Sequence, residues 1–295
     1  NTFAGGIIAN GGLLDIANAK SFGDAEHLHL IIADSTLRYS GEAAALVCGF
    51  TLNATSSTAP VILDVERDLA LEGTFLNNNG ALIKRGPGTL QLTLTAPTTL
   101  TAANGAGSSE PQPDPIVFPA DGSAPASGVP GLTVAEGTLR LIGSPDFTTR
   151  MEHMVNIGTK TLQGSVAPAL ELVGGRFAVG GGSMATWVGP WCWSGTVLTN
   201  AALRIFDSSI TVNTLLLGAG GTCQTQTPEL LIDHSPIDVY WRTGWSDQIG
   251  NTPAMTTIRN GSTLFVQQTD ISLNNPFSVL IDNSTVECRN STPTS

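Results

Sequence analysis

The sequence predicts an all-β fold, a right-handed parallel β-helix, in which residues 1–295 form a single β-solenoid. A phrase of alternating apolar residues around a tight glycine turn occurs at Gly80–Leu92 and again at Gly131–Leu141, and a related phrase at Asn1–Ile16 opens the chain. Such recurrence is typical of a solenoid, because one repeat buries its apolar face only by stacking on the next. The hand is predicted from the right-handedness of nearly all parallel crossovers.

Each phrase is predicted to form a strand, a corner and a second strand. In Gly80–Leu92, Leu82 lies before the turn and Leu90 and Leu92 lie after it, so the apolar residues keep the two-residue period of a strand with one buried face. Glycine in the turn between them permits backbone angles that other residues avoid.

The second half of the chain is periodic as well. Short β patterns follow Asp207, Asp233, Asn260 and Asp282, which are 26, 27 and 22 residues apart, and a similar phrase begins at Asp34. These spacings fit β-helix coils with loops of variable length. Asp and Asn tolerate left-handed backbone angles or bond to their own backbone, so we predict a corner at each phrase.

Composition supports this fold and excludes some functions. Hydrophobic residues make up 41% of the chain and charged residues only 13%, which suits a core of short strands joined by polar turns. A net charge of −11 with 13 Lys and Arg residues argues against nucleic-acid binding, which needs a clustered basic surface. No apolar run approaches the ~20 residues that cross a bilayer, so we expect no membrane span in this chain.

The phrase Gly80–Leu92 resembles the passenger-associated transport repeat, also called the autotransporter-associated β-strand repeat. The similar residues are Gly80, Leu82, Lys84, Gly86, Gly88, Thr89, Leu90 and Leu92. Asn1–Gly5 is similar to the Asn-Thr-aromatic phrase of that family, and Glu136–Leu139 to its second Gly-Thr-Leu phrase. The resemblance covers the first half of the chain by motif and the second half by rhythm.

This resemblance implies a parallel β-helix outside a bacterial cell, as part of a longer surface protein or released from one. The expected localisation is therefore extracellular or on the bacterial cell surface. Because the chain begins inside a repeat phrase, we expect either a piece of a longer helix or a subunit whose end abuts a neighbour.

A long insertion is predicted at residues 96–130. The segment is rich in Pro, Ala, Gly and Ser, and its prolines lack the donor that a strand ladder needs. Two interpretations remain open: a plain surface insertion, or a docking arm whose apolar anchor is Ile116, Val117 and Phe118.

A second irregular region, a Trp-rich loop, is predicted at residues 180–195. All five tryptophans of the chain lie in this loop or about two coils later, at Trp187, Trp191, Trp193, Trp241 and Trp245. Tryptophan rings serve as platforms for sugars or partner proteins, which indicates a lateral carbohydrate or protein contact site. The alternative is that these rings only pack the side of the helix under a loop.

The cysteines do not have the spacing of a metal site. Cys192 and Cys223 are 31 residues apart, close to one coil with its loop, and could form a disulfide between adjacent coils. Cys48 and Cys288 are many coils apart, so they are expected to be free thiols or to bond to other molecules. Buried cysteines that act as small apolar residues are the simpler interpretation.

Candidates for catalysis are weak. Asp64, Glu66 and Asp68 alternate along the sequence, are expected to share one strand face and are the best acidic cluster. Asp233, His234 and Asp238 form a poorer one. No nucleophile, metal or phosphate-loop motif accompanies them. The sequence therefore predicts no enzyme, no metal and no cofactor.

The preferred interpretation is a structural or adhesive surface solenoid, with head-to-tail self-association into a filament or contact with a surface carbohydrate or protein. The alternative is a β-helix that binds or degrades polysaccharide, including the phage tail-fibre type.

Overall fold

The structure is a computed structural model that describes the strands of the predicted coil and many of its corners. The described residues are 6–23, 28–53, 60–73, 75–77, 82–96, 99–100, 132–151, 155–158, 166–179, 185–188, 195–196, 201–217, 223–224, 229–245, 254–266, 269–270 and 277–288. No helix in these ranges has the length and apolar character needed to cross a membrane.

The described residues form a 3-10 helix, η1 (Ala19–Phe22), and a long series of strands. These strands are β1 (Ile7–Ile16), β2 (His29–Tyr39), β3 (Ala44–Val47), β4 (Gly49–Asn53), β5 (Val61–Val65), β6 (Leu69–Gly73), β7 (Phe75–Asn77), β8 (Leu82–Arg85), β9 (Thr89–Leu94), β10 (Thr99–Leu100), β11 (Leu132–Val134), β12 (Thr138–Ile142), β13 (Thr148–Met151), β14 (Val155–Ile157), β15 (Ala169–Val173), β16 (Arg176–Val179), β17 (Ala185–Val188), β18 (Gly195–Thr196), β19 (Ala202–Phe206), β20 (Ser209–Leu217), β21 (Cys223–Gln224), β22 (Glu229–Asp233), β23 (Pro236–Trp245), β24 (Ala254–Arg259), β25 (Thr263–Val266), β26 (Thr269–Asp270), β27 (Phe277–Asp282) and β28 (Thr285–Cys288).

A full coil has three strand positions, which stack into three faces, named here face A, face B and face C. Face A is a sheet of nine strands in the order β3, β6, β9, β12, β15, β19, β22, β24, β27. Face B contains the first halves of β1, β2, β20 and β23, together with β4, β7, β10, β13, β16, β25 and β28. Face C contains the second halves of the same four long strands, together with β5, β8, β11, β14, β17 and β26.

The pairings on all three faces are parallel, as a β-helix requires. The fold prediction of a parallel β-solenoid is therefore confirmed. The hand of the coil stays a prediction from the rule for parallel crossovers.

The core is a column of inward-facing side chains that runs along the axis. Along β5, β9 and β12 every second residue is buried, as the two-residue period of a strand predicts. These residues join those of the other coils in one continuous hydrophobic cluster that extends from Ile16 to Val266. Each coil thus covers the apolar side of its neighbours.

The two glycine phrases lie on successive coils. Leu82 pairs with Leu132 on face C, and Thr89 pairs with Thr138 on face A. The strand, corner and strand predicted for each phrase are confirmed by β8 with β9 and by β11 with β12. β11 and β12 therefore stack in register on β8 and β9 of the preceding coil.

The boundary of the predicted insertion needs a correction. Within residues 96–130, Thr99 and Leu100 form β10, which pairs with Arg150 and Met151 on face B. The ladder therefore reaches Leu100, four residues past the predicted start of the insertion. The anchor residues Ile116, Val117 and Phe118 lie outside the described residues, and the docking arm stays a prediction.

The corner between faces A and B repeats one arrangement in the last four coils. A residue with positive φ ends the face A strand at Asp207, His234, Asn260 and Asn283, with φ of 50°, 48°, 59° and 45°. A serine follows this residue before the face B strand begins. The predicted corners are confirmed there, whereas Asp34 lies at the corner between faces B and C, within β2.

The serines of this corner form a buried polar ladder along the axis. The hydroxyl of Ser208 donates to the carbonyl of Phe206 at 2.7 Å, and that of Ser235 to the carbonyl of Asp233 at 2.7 Å. The N–H of Ser208 donates to Ser235 Oγ at 3.0 Å, and the N–H of Ser235 to Ser262 Oγ at 3.0 Å. This ladder satisfies buried polar groups that a tight corner would otherwise leave without partners.

Face A begins later than the other faces. β1 and β2 pair with each other on faces B and C, and the first described strand of face A is β3. The 3-10 helix η1 lies between β1 and β2, and its Phe22 is buried and stacked on Tyr39, with ring centroids 6.2 Å apart. An aromatic pair thus supplements the core near this end.

Candidate functional site

The three carboxylates of the best acidic cluster bind three different partners. Asp64 Oδ2 accepts hydrogen bonds from Arg85 at 2.9 and 3.1 Å, and Glu66 forms an ion pair with Arg38. Asp68 Oδ1 accepts from the N–H of Thr89 at 2.8 Å. The expectation that the three acids share one strand face is wrong, because β5 ends at Val65 and the chain turns before β6. Each carboxylate instead links adjacent coils.

The Asp64–Arg85 pair belongs to a column of alternating charge on face C. Asp15 is in register with Arg38, Arg38 with Asp64, and Asp64 with Arg85. Opposite charges on neighbouring strands stabilise the ladder, whereas like charges there would destabilise it. The column therefore favours the observed pairing of β1, β2, β5 and β8 over a pairing in which like charges lie opposite each other.

Face A has a second alternating arrangement. Arg140, Glu171 and Arg204 lie in register on β12, β15 and β19. Glu171 bonds to both arginines, at 2.7 Å to Arg140 and 3.3 Å to Arg204, and Arg204 also contacts Glu229 at 3.3 Å. The Glu171 carboxylate is almost fully buried between the two guanidinium groups. A charge this buried is tolerated because it is paired on both sides.

The poorer acidic cluster also separates into coil-to-coil contacts. Asp233 Oδ2 accepts from Arg259 at 2.7 and 2.9 Å, and Asp233 Oδ1 accepts from Asn260 Nδ2 at 2.6 Å. The hydrogen bond from Asn260 and the nearby Arg259 lower the pKa of Asp233. His234 Nδ1 lies 2.7 Å from Asp207 Oδ1 at the surface, and Asp238 lies further along, on face B.

One buried cation was not singled out by sequence reasoning. The side chain of Lys84 lies inside the solenoid with no exposed surface. Its Nζ donates to the carbonyl oxygens of Gly86 at 2.6 Å and Glu136 at 2.9 Å. The ammonium group thus joins the corners of two successive coils. The sequence signal for this was the two-residue alternation of a strand. Lys84 follows the inward-facing Leu82 by two residues, so its side chain points inward as well.

The backbone register does not align the tryptophans in one stack. Trp187 of β17 pairs with Asn156 and Leu216, whereas Trp245 of β23 pairs with Leu217, in the neighbouring column of face C. Trp241 lies where the register between β20 and β23 shifts. The side chains of these three residues, and all of Trp191 and Trp193, lie outside the described residues. The lateral contact site therefore stays a prediction.

The predicted disulfide is likewise untested. Cys223 of β21 pairs in register with Gly195 of β18, and Cys192 lies outside the described residues. Cys48 is a buried free thiol, and burial raises its pKa to about 11. Cys48 and the backbone of Cys288 are separated by eight steps of face B, or ~38 Å at ~4.8 Å per strand. The prediction that these two cysteines do not bond within the chain agrees with this separation.

Apolar side chains are exposed at both ends of the stack. At the first coil Ile8 is 70% exposed and Leu13 62% exposed. At the last described strand of face A, β27, the most exposed is Leu280, at 60%. Strand edges with exposed apolar side chains are surfaces on which another chain adds. The ends are therefore candidate contact surfaces, although Val47, Val166 and Met255 are also exposed elsewhere on the stack.

No protein-family model, no curated protein and no solved structure matches the chain. Within the described residues, no group of three or more His, Cys, Asp or Glu side chains is placed to hold a metal ion.

Proposed function

We propose that this chain is an extracellular structural or adhesive β-solenoid, either part of a longer surface protein or a subunit of a self-associating filament. The proposal rests on one observation: the charged side chains pair with each other between adjacent coils. Asp64, Glu66, Glu171 and Asp233 each bind a cation of an adjacent coil. These carboxylates, which are the kind of group that an active site uses, are instead paired between coils and stabilise the register of the stack. The resemblance of Gly80–Leu92 to the autotransporter-associated repeat supports the location outside a bacterial cell.

Head-to-tail contact is the first candidate for self-association. On face B, the inward column that contains Ile237, Leu264 and Val286 ends at β28, and the inward column of β1 begins with Ile7. A second copy whose β1 pairs with β28 in parallel would continue this apolar column. The junction is heterologous, so repeated addition builds a filament rather than a closed ring.

Electron microscopy of the purified chain tests this proposal. We expect rods whose single unit has eleven strand positions on face B, or ~50 Å at ~4.8 Å per strand, joined end to end. I7K at the first coil should shorten the chains of rods, because it places a charge in the apolar column that the junction continues. S209K, on the exposed middle of face B, is the matched control. Isolated rods at every protein concentration would contradict self-association.

Localisation needs a separate experiment. Antibodies against the folded chain should label intact cells of the source bacterium, and a protease added outside the cells should remove the label. Labelling that requires permeabilised cells would contradict an extracellular role.

A polysaccharide-binding or polysaccharide-degrading β-helix is the second candidate. The observation in its favour is the occurrence of Trp187 and Trp245 on nearby strands of face C. Titration with acidic polysaccharides should then change the tryptophan fluorescence, and W187A should abolish that change. D64N and D68N distinguish degradation from binding, because a degrading enzyme that used these acids would lose turnover and keep the fluorescence change.

A further inference from the structure

Two exposed arginines lie beside each other on the lateral surface of face B. Arg150 is on β13 and Arg176 is on β16, and these two strands pair in parallel in adjacent coils. Both side chains point outward, because Thr149 and Phe177, one residue further along each strand ladder, are buried. Arg176 is in register with Thr148, so the Cα atoms of the two arginines are ~8 Å apart, from one strand spacing and two residues along the strand. The strands β10 and β20 lie on the two sides of the pair, which is therefore not at an end of the stack.

Neither arginine has an ion-pair partner within the described part of the chain. Carboxylates of adjacent coils bind five other arginines of the stack, which are Arg38, Arg85, Arg140, Arg204 and Arg259. On the described strands of face B the nearest outward carboxylate is Asp238, two strand steps beyond Arg176. At the corner before β13, the carboxylate of Asp146 accepts a hydrogen bond from the hydroxyl of Ser144. Arg150 and Arg176 thus form an adjacent pair of cations that is open to an anion from outside the chain.

Small side chains and hydroxyl groups surround this pair. Thr148 and Ser209 lie in register with Arg176, one on each side of it. Ala178 and Thr211 continue the column of the other arginine. Ser209 and Thr211 are exposed, whereas Thr148 and Ala178 are half-buried. The surface around the two cations is therefore low, and its hydroxyl groups can donate hydrogen bonds to a ligand and accept them from it.

These surroundings favour a sugar polymer over other anions. β13 and β16 each have a paired strand on both sides, so they offer no open edge to which a peptide strand could add. The residues in register with the two arginines are small or carry a hydroxyl group, and such residues do not hold a lipid chain. Two cations on a chain of net charge −11 are a smaller basic surface than nucleic acid requires. A polysaccharide with anionic groups matches both the cations and the hydroxyl groups.

We propose that Arg150 and Arg176 form a binding site for an anionic polysaccharide on the lateral surface of face B. Each guanidinium group would donate two parallel hydrogen bonds to a carboxylate or sulfate group of the polymer. Thr148, Ser209 and Thr211 would bond to the sugar hydroxyl groups beside it. The inference rests on the adhesive role proposed above, and it deepens that role by naming the class of ligand and the surface that contacts it. Because exposed ion pairs are weak, firm attachment requires several solenoids on one polymer.

Biolayer interferometry with immobilised polysaccharide and the intact chain tests the inference. The probes are polygalacturonate, which carries carboxylate groups, and dextran sulfate, which carries sulfate groups. Fully methyl-esterified polygalacturonate is the neutral control. We expect the chain to bind a charged probe and not the ester, and we expect added salt to weaken this binding because it screens exposed charges. The charged probe that binds more tightly identifies the anionic group of the ligand.

Variants of the two arginines locate the site. R150Q/R176Q should bind the charged probe about tenfold more weakly than the unmodified protein. R150K/R176K keeps both charges and removes the planar pair of donors, so its affinity should lie between these two. The matched control is R67Q, because Arg67 is also exposed and without an ion pair among the described residues, but it lies between β5 and β6. Urea unfolding should give similar stability for all these proteins, since the changed side chains are exposed.

Four outcomes would overturn the inference. The first is that the chain binds neither charged probe, and the second is that R67Q weakens binding as much as R150Q/R176Q, because binding would then follow net charge alone. The third is binding that W187A abolishes and R150Q/R176Q retains, which would place the site on face C. The fourth is equal affinity for duplex DNA. Cell labelling that requires permeabilisation would contradict the extracellular role alone, since binding by the purified chain does not depend on it.

Discussion

Lys84 gives the sharpest prediction, because an amine inside the core couples stability to pH. The side chain lies between Leu63 and Val134 of the adjacent coils and has no exposed surface. Burial lowers the pKa of its ammonium group from 10.5 to about 8, and the nearby carboxylates of Glu136 and Asp64 oppose this effect only in part. The unfolded chain exposes the amine to water, where its pKa returns to the ordinary value.

The sign of the pH dependence follows from these two values. Below pH 8 the amine is charged in both states, and the cost of burying the charge opposes folding. Between pH 8 and 10.5 the unfolded chain holds a proton that the folded chain has released, so the free energy of unfolding rises with pH. The difference between 10.5 and about 8 corresponds to about 3 kcal/mol, at about 1.4 kcal/mol per pH unit.

K84M removes this dependence while keeping an apolar chain of similar length. The variant also leaves the carbonyl groups of Gly86 and Glu136 without their donor, which lowers stability at every pH. Urea unfolding followed by tryptophan fluorescence at several values between pH 7 and 10.5 gives both curves. We expect the unmodified protein to gain about 3 kcal/mol relative to K84M across this range.

Two other groups change stability in the same pH range, and the comparison with K84M cancels both. The pKa values of Tyr39 and Cys48 are raised by burial, so each group favours unfolding as the pH exceeds its ordinary value. Both groups are present in the variant as well. R85M, which changes the adjacent outward-facing cation, is the matched control and should keep the pH dependence. Parallel stability curves for the unmodified protein and K84M would refute the reasoning.

Three further predictions follow from buried polar groups. T149V should raise the free energy of unfolding by about 1–2 kcal/mol in urea, because the buried hydroxyl of Thr149 has no hydrogen-bond partner; a loss of stability would show that it has one. S235A should lower it by about 1–3 kcal/mol, since the N–H of Ser208 loses its acceptor, whereas S209A at the surface should change it little; equal effects would contradict the serine ladder. Cys48 should resist iodoacetamide at pH 8 in the folded protein and react in urea, as peptide mass spectrometry can show; labelling without urea would contradict its buried, protonated state.

The strand phrases could be predicted from the sequence because their signal is local. Alternation and glycine placement in Gly80–Leu92 determine which residues face inward and where the chain turns, with no knowledge of the neighbouring coil. The same rules applied to Gly131–Leu141 led to a strand pair that stacks on the first in register. Parity could also have placed Lys84 on the inward face, although the role of its amine depends on the carbonyl groups of Gly86 and Glu136, which the sequence does not reveal.

The corner columns could not be predicted because residue type does not determine register. Asp207 and Asp233 looked equivalent in the sequence, yet Asp233 pairs with Phe206, one residue before Asp207. The constant feature is the serine at positions 208, 235, 262 and 284, which follows a residue with positive φ. Aspartate and asparagine can occupy several positions in a turn, so their type does not indicate the register. The buried serine hydroxyl fits the ladder at one position only.

The same argument explains why the candidate contacts for self-association lie at the ends of the stack. Inside the stack a charged residue has a neighbouring coil on each side. Arg38 and Arg259 therefore form ion pairs with carboxylates of adjacent coils. At an end the last residue of a column has only one neighbouring coil. Asp15 at the first coil and Asp282 at the last are such residues, and both are acidic. Among the described strands, Asp15 and Asp282 therefore differ from lateral charges such as Arg38, which are paired between two adjacent coils.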